Sequence, residues 1–182
     1  LSDGRVASNV ETSVEKKIKV NSVVQFSNNL YYNSDAIPNR GPIPPKVGQE
    51  TTYTVIWSVI NSFNDLRNAE VRATLPAYVK WQSQISPANE NVRFDADNGE
   101  VVWTVGNVNS GVGYNNPPRE VNFQISITPS LSQVDQSPIL VSKPTFTAED
   151  SFTGKQLQIS KAQLTTLATE PNFKFGNDRV TQ

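Results

Sequence analysis

The sequence predicts an all-β chain: an antiparallel β-sandwich with an extended N-terminal arm and a C-terminal tail. Three observations predict it. Apolar residues recur with a period of two, the alternating runs stand about ten residues apart, and polar turn residues fill the gaps. In the first run Tyr53, Val55, Trp57 and Val59 share one face, with Thr52, Thr54 and Ser58 opposite. In the second, Ala69, Val71, Ala73 and Leu75 alternate with Glu70, Arg72 and Thr74. Val101, Trp103 and Val105 make a third, and Val121, Phe123, Ile125 and Ile127 a fourth against Glu120, Asn122, Gln124 and Ser126. A helix would space its apolar residues three and four apart, so these runs are half-buried strands.

The punctuation agrees. Asp97-Asn98-Gly99 between Val92–Ala96 and Val101–Val105 is a hairpin signal. Residues 61–65 join the first two runs, Pro76 stops the second, and residues 111–118 form a Gly/Asn/Pro loop. A turn at 150–154 separates Thr145–Ala148 from Gln156–Ser160. The inward residues Tyr53, Val55, Trp57, Val71, Leu75, Trp103, Val105, Phe123, Ile125 and Ile127 are the expected core between the sheets.

The ends behave differently, and the expected division is an arm at 1–30, a Pro-rich connection at 31–48, the sandwich at 49–163 and a linker or tail at 164–182. From Val6 to Leu30 nearly every apolar residue has an even number, with Ala7 and Val23 as exceptions. One extended strand of that length would run about 80 Å, far beyond an ordinary strand. It is therefore several strands in series, or part of it leaves the domain. A short helix is the alternative, because Ser8 and Glu11 make a capping box and Val6, Val10, Val14 and Ile18 are four apart. Read as strand, Val6, Val10, Val14, Ile18, Val20, Val24 and Phe26 are candidates for self-association through an added strand, and the same strand could instead fold back onto its own domain.

Composition excludes several function classes. The chain has no His, Cys or Met and a net charge of −1. Without Cys there are no disulfides or thiolate metal sites, and without His the commonest general base is missing. The lack of oxidisable sulfur suits an extracellular or cell-surface setting. Basic residues are dispersed, so nucleic acid is not an expected partner. No apolar run approaches the roughly 20 residues of a membrane span. The chain begins without Met or a leader-like segment, so a secretion signal, if the protein had one, is expected to have been removed already.

The quoted strands carry a resemblance. Residues 53–61 (Tyr-Thr-Val-Ile-Trp-Ser-Val-Ile-Asn), 66–71, 75–79 (Leu-Pro-Ala-Tyr-Val), 99–106 and 121–127 resemble, in order and spacing, a surface-repeat family. It is the bacterial and archaeal family called domain of unknown function eleven. The resemblance covers about residues 43 to 160. Ala73 stands where many members have Asp, and Asn68 is separated from Val71 where Asn-Val would be adjacent. The resemblance implies an immunoglobulin-like sandwich, surface display, and adhesion or stalk-building, with no catalytic residues to carry over.

Other sites resolve to simpler readings. Asp95 to Glu100 suggests a calcium loop, but its Gly is fifth and Gly106 holds the twelfth position that needs Glu. Turn chemistry explains the same residues. Glu149 and Asp150 are adjacent on a strand and point to opposite faces, so they cannot act as a glycosidase pair. No Gly-x-Ser-x-Gly elbow and no Asn-x-Ser/Thr acceptor occurs. A Lys–Asn amide cross-link would replace missing disulfides, but no lysine is singled out and a solvated lysine is the default. Trp57 and Trp103 are in phase with the core, and Trp81 and Tyr78 complete the aromatics weighed as a sugar platform. Tyr31, Tyr32 and Tyr114 stay as candidates for an interaction surface. The expectation is a non-catalytic structural module without a cofactor, whose partner is itself, building a stalk, lattice or filament. The alternative is an adhesion module that binds a surface glycan or other ligand.

Overall fold

Period-two alternation builds two sheets in the computed structural model, which describes residues 15–16 and 18–182. One sheet has the order β1 (Val24–Tyr31), β2 (Thr51–Asn61), β7 (Arg119–Ile127), β4 (Val79–Ser86). The other runs β10 (Gln156–Ser160), β9 (Thr145–Asp150), β3 (Leu66–Thr74), β6 (Glu100–Val108), β5 (Asn91–Asp95). Every neighbouring pair in both sheets is antiparallel. This is the immunoglobulin-like arrangement: β1, β2, β7 and β4 stand as strands A, B, E and D, and β3, β9 and β10 as C, F and G. The β5–β6 hairpin widens the second sheet beyond β3. Its turn needs Gly99, whose φ is +71° and where a Cβ would lie 2.8 Å from the Leu75 carbonyl oxygen.

All ten residues expected in the core are buried. Trp57 sits at its centre, edge-on to Phe123 at 4.8 Å between ring centroids and to Phe26 at 6.4 Å. Phe26 in turn stacks on Phe146 of the opposite sheet. Both central indoles have a polar partner: Trp57 Nε1 donates to Asn28 Oδ1 and Trp103 Nε1 to Glu90 Oε2, each at 2.8 Å. Such pairing lets a Trp be fully buried without stranding its N–H.

Three expected boundaries change. β1 pairs along its whole length with β2 of the same chain, so the sandwich starts at Val24 and residues 24–30 are not arm. Phe26 and Leu30 fill the core, which outweighs any gain from leaving it. The Pro-rich stretch is not a free connection either. It crosses the outer face of β2 and β7, where Thr54 Oγ1 donates to the Ile37 carbonyl and Gln124 Nε2 to Pro38 O and Asn39 Oδ1. Thr51, Thr52, Thr54, Gln124 and Ser126 are buried under it. Nor is 164–182 a linker. Leu164–Thr165 (β11) pairs with Ile139–Val141 (β8), and Thr166, Ala168 and Val180 are buried. The helical alternative for Val6–Ile18 falls mostly outside the described residues.

Candidate functional site

β2 spans eleven residues, roughly 35 Å of extended chain, and sets the length of the sandwich. The chain enters the fold at its upper pole, beside the end of β2. Ser22 is the anchor: its backbone N–H donates to Asp150 Oδ2 at 2.8 Å and its hydroxyl to Asn61 Oδ1 at 2.7 Å. The Ser22 hydroxyl also accepts from the N–H groups of Phe63 and Asn64. Asn64 Nδ2 donates to Asp150 Oδ2 and to Val20 O. Phe152 and Thr153 N–H groups close onto Asp150 Oδ1. Burial alone would push the Asp150 carboxyl up. Its donors, led by Asn64 with the backbone of Ser22 and Thr153, outweigh that and hold it down at about 2. The knot fixes where the N-terminal segment leaves the sandwich.

The last residues lie at the opposite pole. Val180 and Thr181 form an added strand: Val180 N donates to Gln136 O, Asp135 N to Val180 O, Thr181 N to Pro45 O and Val47 N to Thr181 O. Both bridges are parallel, Val180 to Val134 and Thr181 to Lys46. Two buried carboxylates hold the turn before them. Glu170 accepts from the N–H groups of Tyr32 and Asn33 and from Asn33 Nδ2, while Asp178 accepts from the Ser137 hydroxyl and Gly176 N–H. Burial raises Asp178, and these donors, with Arg179 nearby, bring it below its usual value.

The large apolar side chains left exposed divide between these poles. Among the described residues Ile18, Val20, Val23, Phe63, Tyr114 and Phe152 are at the upper pole, and Tyr78, Leu131, Leu167 and Phe175 at the lower. None lies on the broad outer face of a sheet. Scattered single apolar residues are ordinary on a surface, but confinement to two opposite ends is not.

The self-association candidates separate accordingly. Val6, Val10 and Val14 lie outside the described residues. Ile18 and Val20 are exposed, on a segment tied down by Lys19 Nζ donating to Phe152 O and lying 5.1 Å from its ring. Val24 and Phe26 belong to β1 and are occupied by their own domain. The free edges differ in what they offer. β4 is bulged between Trp81 and Ile85, with Ser83 at φ 57°, which blunts it for strand addition. The edges of β1 and β10 border a cleft of about 270 Å³ lined by Val24, Phe26 and Ile159. Asn28 Nδ2 reaches across to Ala162 O, and Thr169 N donates to Leu30 O, so the lower half of the β1 edge is covered.

The other candidates are placed as follows. Tyr31 and Tyr32 are part-buried near the lower pole, where Tyr32 packs on Tyr53 and donates to Gly41 O, whereas Tyr114 is exposed at the upper pole. They therefore form no common platform. Trp81 is half-buried and stacked on Phe94 at 5.7 Å, with Phe123 at 5.2 Å, so its ring is part of the core margin. Asp95 and Asn98 accept from Asp97 N and Glu100 N inside their own turn, and Glu100 pairs with Arg72. Glu149 pairs with Arg67 while Asp150 turns to the Ser22 knot, on opposite faces. Every described lysine is exposed, so none of these is positioned for a buried amide cross-link. Sequence reasoning missed Ser22, Asn61, Asn64, Glu170 and Asp178, whose only signal is a lone polar residue beside an alternating strand or turn.

No protein-family model matches the chain, and no curated protein matches it. Among solved structures it is similar to BcpA, the major pilin subunit of Bacillus cereus, at 13% identity and a TM-score of 0.48, over 78% of this chain and 39% of that one. It is also similar to the full-length major pilin SpaD of Corynebacterium diphtheriae at 10% identity and a TM-score of 0.48, over 78% and 34%. A DUF4466 family protein from Parabacteroides merdae is similar at 11% identity and a TM-score of 0.31, over 77% and 44%. The chain thus spans about two-fifths or less of the length of these pilin structures.

Proposed function

We propose that the chain is a non-catalytic structural module of a microbial surface protein, joined head to tail with copies of itself into a stalk, lattice or filament. One observation carries this reading: the backbone enters at one pole and is pinned at the other, and the exposed large apolar residues gather at those same two poles. A rod-like sandwich with sticky ends and polar flanks stacks along its long axis. The resemblance of residues 43 to 160 to the surface-repeat family supports the same role. The part before about Lys16 is, on this reading, what reaches the neighbour and adds a strand there, while Ile18 and Val20 stay exposed at the pole it leaves from.

Light scattering and negative-stain imaging test this on the intact chain and on a form lacking residues 1–15. The intact protein is expected to assemble, and the shortened one to stay folded and unassembled. An intact chain that is monomeric at high concentration refutes the proposal. Normal assembly without residues 1–15 refutes the role of the arm.

A further inference from the structure

An apolar concavity sits at the upper pole. It is a cleft of about 330 Å³ lined by Val23, Phe63 and Tyr114. Its floor is a hydrogen-bonded backbone: Ser62 N donates to Val23 O, Gly111 N to Ser62 O, and Val23 N to the Ser62 hydroxyl. The loop bearing Tyr114 is pinned too, since Tyr114 N and Asn115 N both donate to Gly111 O. The cleft is therefore built before anything enters it, and filling it costs little ordering.

Among the described residues, the most exposed large apolar side chain is at the other end of the molecule. Phe175 is 89% exposed. It is not a loose ring on a frayed tail. The turn carrying it is gripped by Glu170 on one side and Asp178 on the other, and Gly176 takes a φ of +92° to make the bend. Among the described residues nothing covers this aromatic knob, so burying it against a partner is a gain that the fold itself does not take. Knob and cleft lie at opposite poles, too far apart to meet within one copy.

We infer that Phe175 of one copy inserts into the Val23–Phe63–Tyr114 cleft of the next, forming a heterologous head-to-tail contact. This rests on the self-assembly proposed above and names the surfaces that make it. A contact between unlike surfaces leaves each end unsatisfied and propagates as a filament rather than closing as a dimer. The aromatic inserted between two pinned loops is the anchor of the interface, and the surrounding residues exclude water.

The absence of native cysteine allows a direct test. The single variants Phe63→Cys and Phe175→Cys, mixed in equal amounts and oxidised, are expected to give the mixed disulfide at about tenfold or more over either like pair. In parallel, Phe175→Ser and Tyr114→Ser are each expected to weaken self-association by about tenfold or more, with unchanged melting. Both side chains are exposed, so folding is not at stake. Like and unlike disulfides in random proportion, with assembly insensitive to Phe175→Ser, overturn this contact while leaving self-assembly standing. A wild-type chain that never assembles overturns both.

Discussion

Asp150→Ala removes the centre of the upper-pole knot. The carboxylate accepts four hydrogen bonds, from Ser22 N at 2.8 Å, Asn64 Nδ2 at 2.9 Å, Phe152 N at 3.0 Å and Thr153 N at 2.9 Å. The donors on Phe152 and Thr153 lie on a turn where water can replace the lost oxygen. Those on Ser22 and Asn64 lie deeper, and a stranded buried donor costs about 1–3 kcal/mol. The expected loss at pH 7 is therefore about 3–4 kcal/mol. The acid dependence gives a second, independent readout. The folded carboxyl sits at about 2 against an ordinary value of 3.8, so folding favours its ionised form. That contribution is complete above the ordinary value and disappears as the pH falls through the folded one. It amounts to at most about 2.5 kcal/mol, lost between about pH 4 and pH 2. Glu50, Glu149 and Asp178 are lowered in the same sense and remain in the variant. Its acid slope should accordingly be shallower than that of wild type, not flat. Urea unfolding followed by tryptophan fluorescence at pH 7 and at pH 3 measures both quantities. A loss below about 0.5 kcal/mol at pH 7, the range of a surface substitution, would refute the knot's importance, as would parallel acid slopes.

Trp57→Ala should cost about 3–5 kcal/mol by denaturant unfolding, because the ring is fully buried between Phe26 and Phe123; a surface-like change would remove it from the core. Tyr53→Phe should be neutral or stabilising. The phenol is buried with no protein hydrogen-bond partner among the described residues, and burial pushes its pKa far upward. A loss above about 1 kcal/mol would show that the hydroxyl is satisfied after all. Val180→Ala should lower stability by about 1.5–3 kcal/mol, since the side chain is fully buried at the lower pole; unchanged melting would make the C-terminal strand dispensable. Excess EDTA should leave the melting temperature unchanged, and a large drop would indicate a metal bound only by the native state.

The sequence alone determined most of the strands and ten residues of the core, though not β4, β8 or β11. Period two is a local property: Tyr53, Val55 and Trp57 declare their inward face without reference to any partner, and so do Phe123, Ile125 and Ile127. Asp97-Asn98-Gly99 likewise declares its hairpin through backbone chemistry confined to three residues. What local pattern could not decide was the use of polar surface and of ends. Thr52, Thr54 and Gln124 alternate as solvent-facing residues would, yet the stretch around Ile37–Arg40 lies over them and shares their hydrogen bonds. Residues 24–30 carry the alternation of an arm that could pair with any free edge, and only the closeness of β2 in the folded chain settles which one they take. Ser22 meets Asp150 at the upper pole across 128 residues, and Tyr32 meets Glu170 at the lower pole across 138, with no spacing to announce either. The opposition of Phe175 to the Phe63–Tyr114 cleft belongs to no segment of the sequence. It arises because the antiparallel strands run from pole to pole, so the segment that enters β1 and the turn that follows β11 lie at opposite ends of the sandwich.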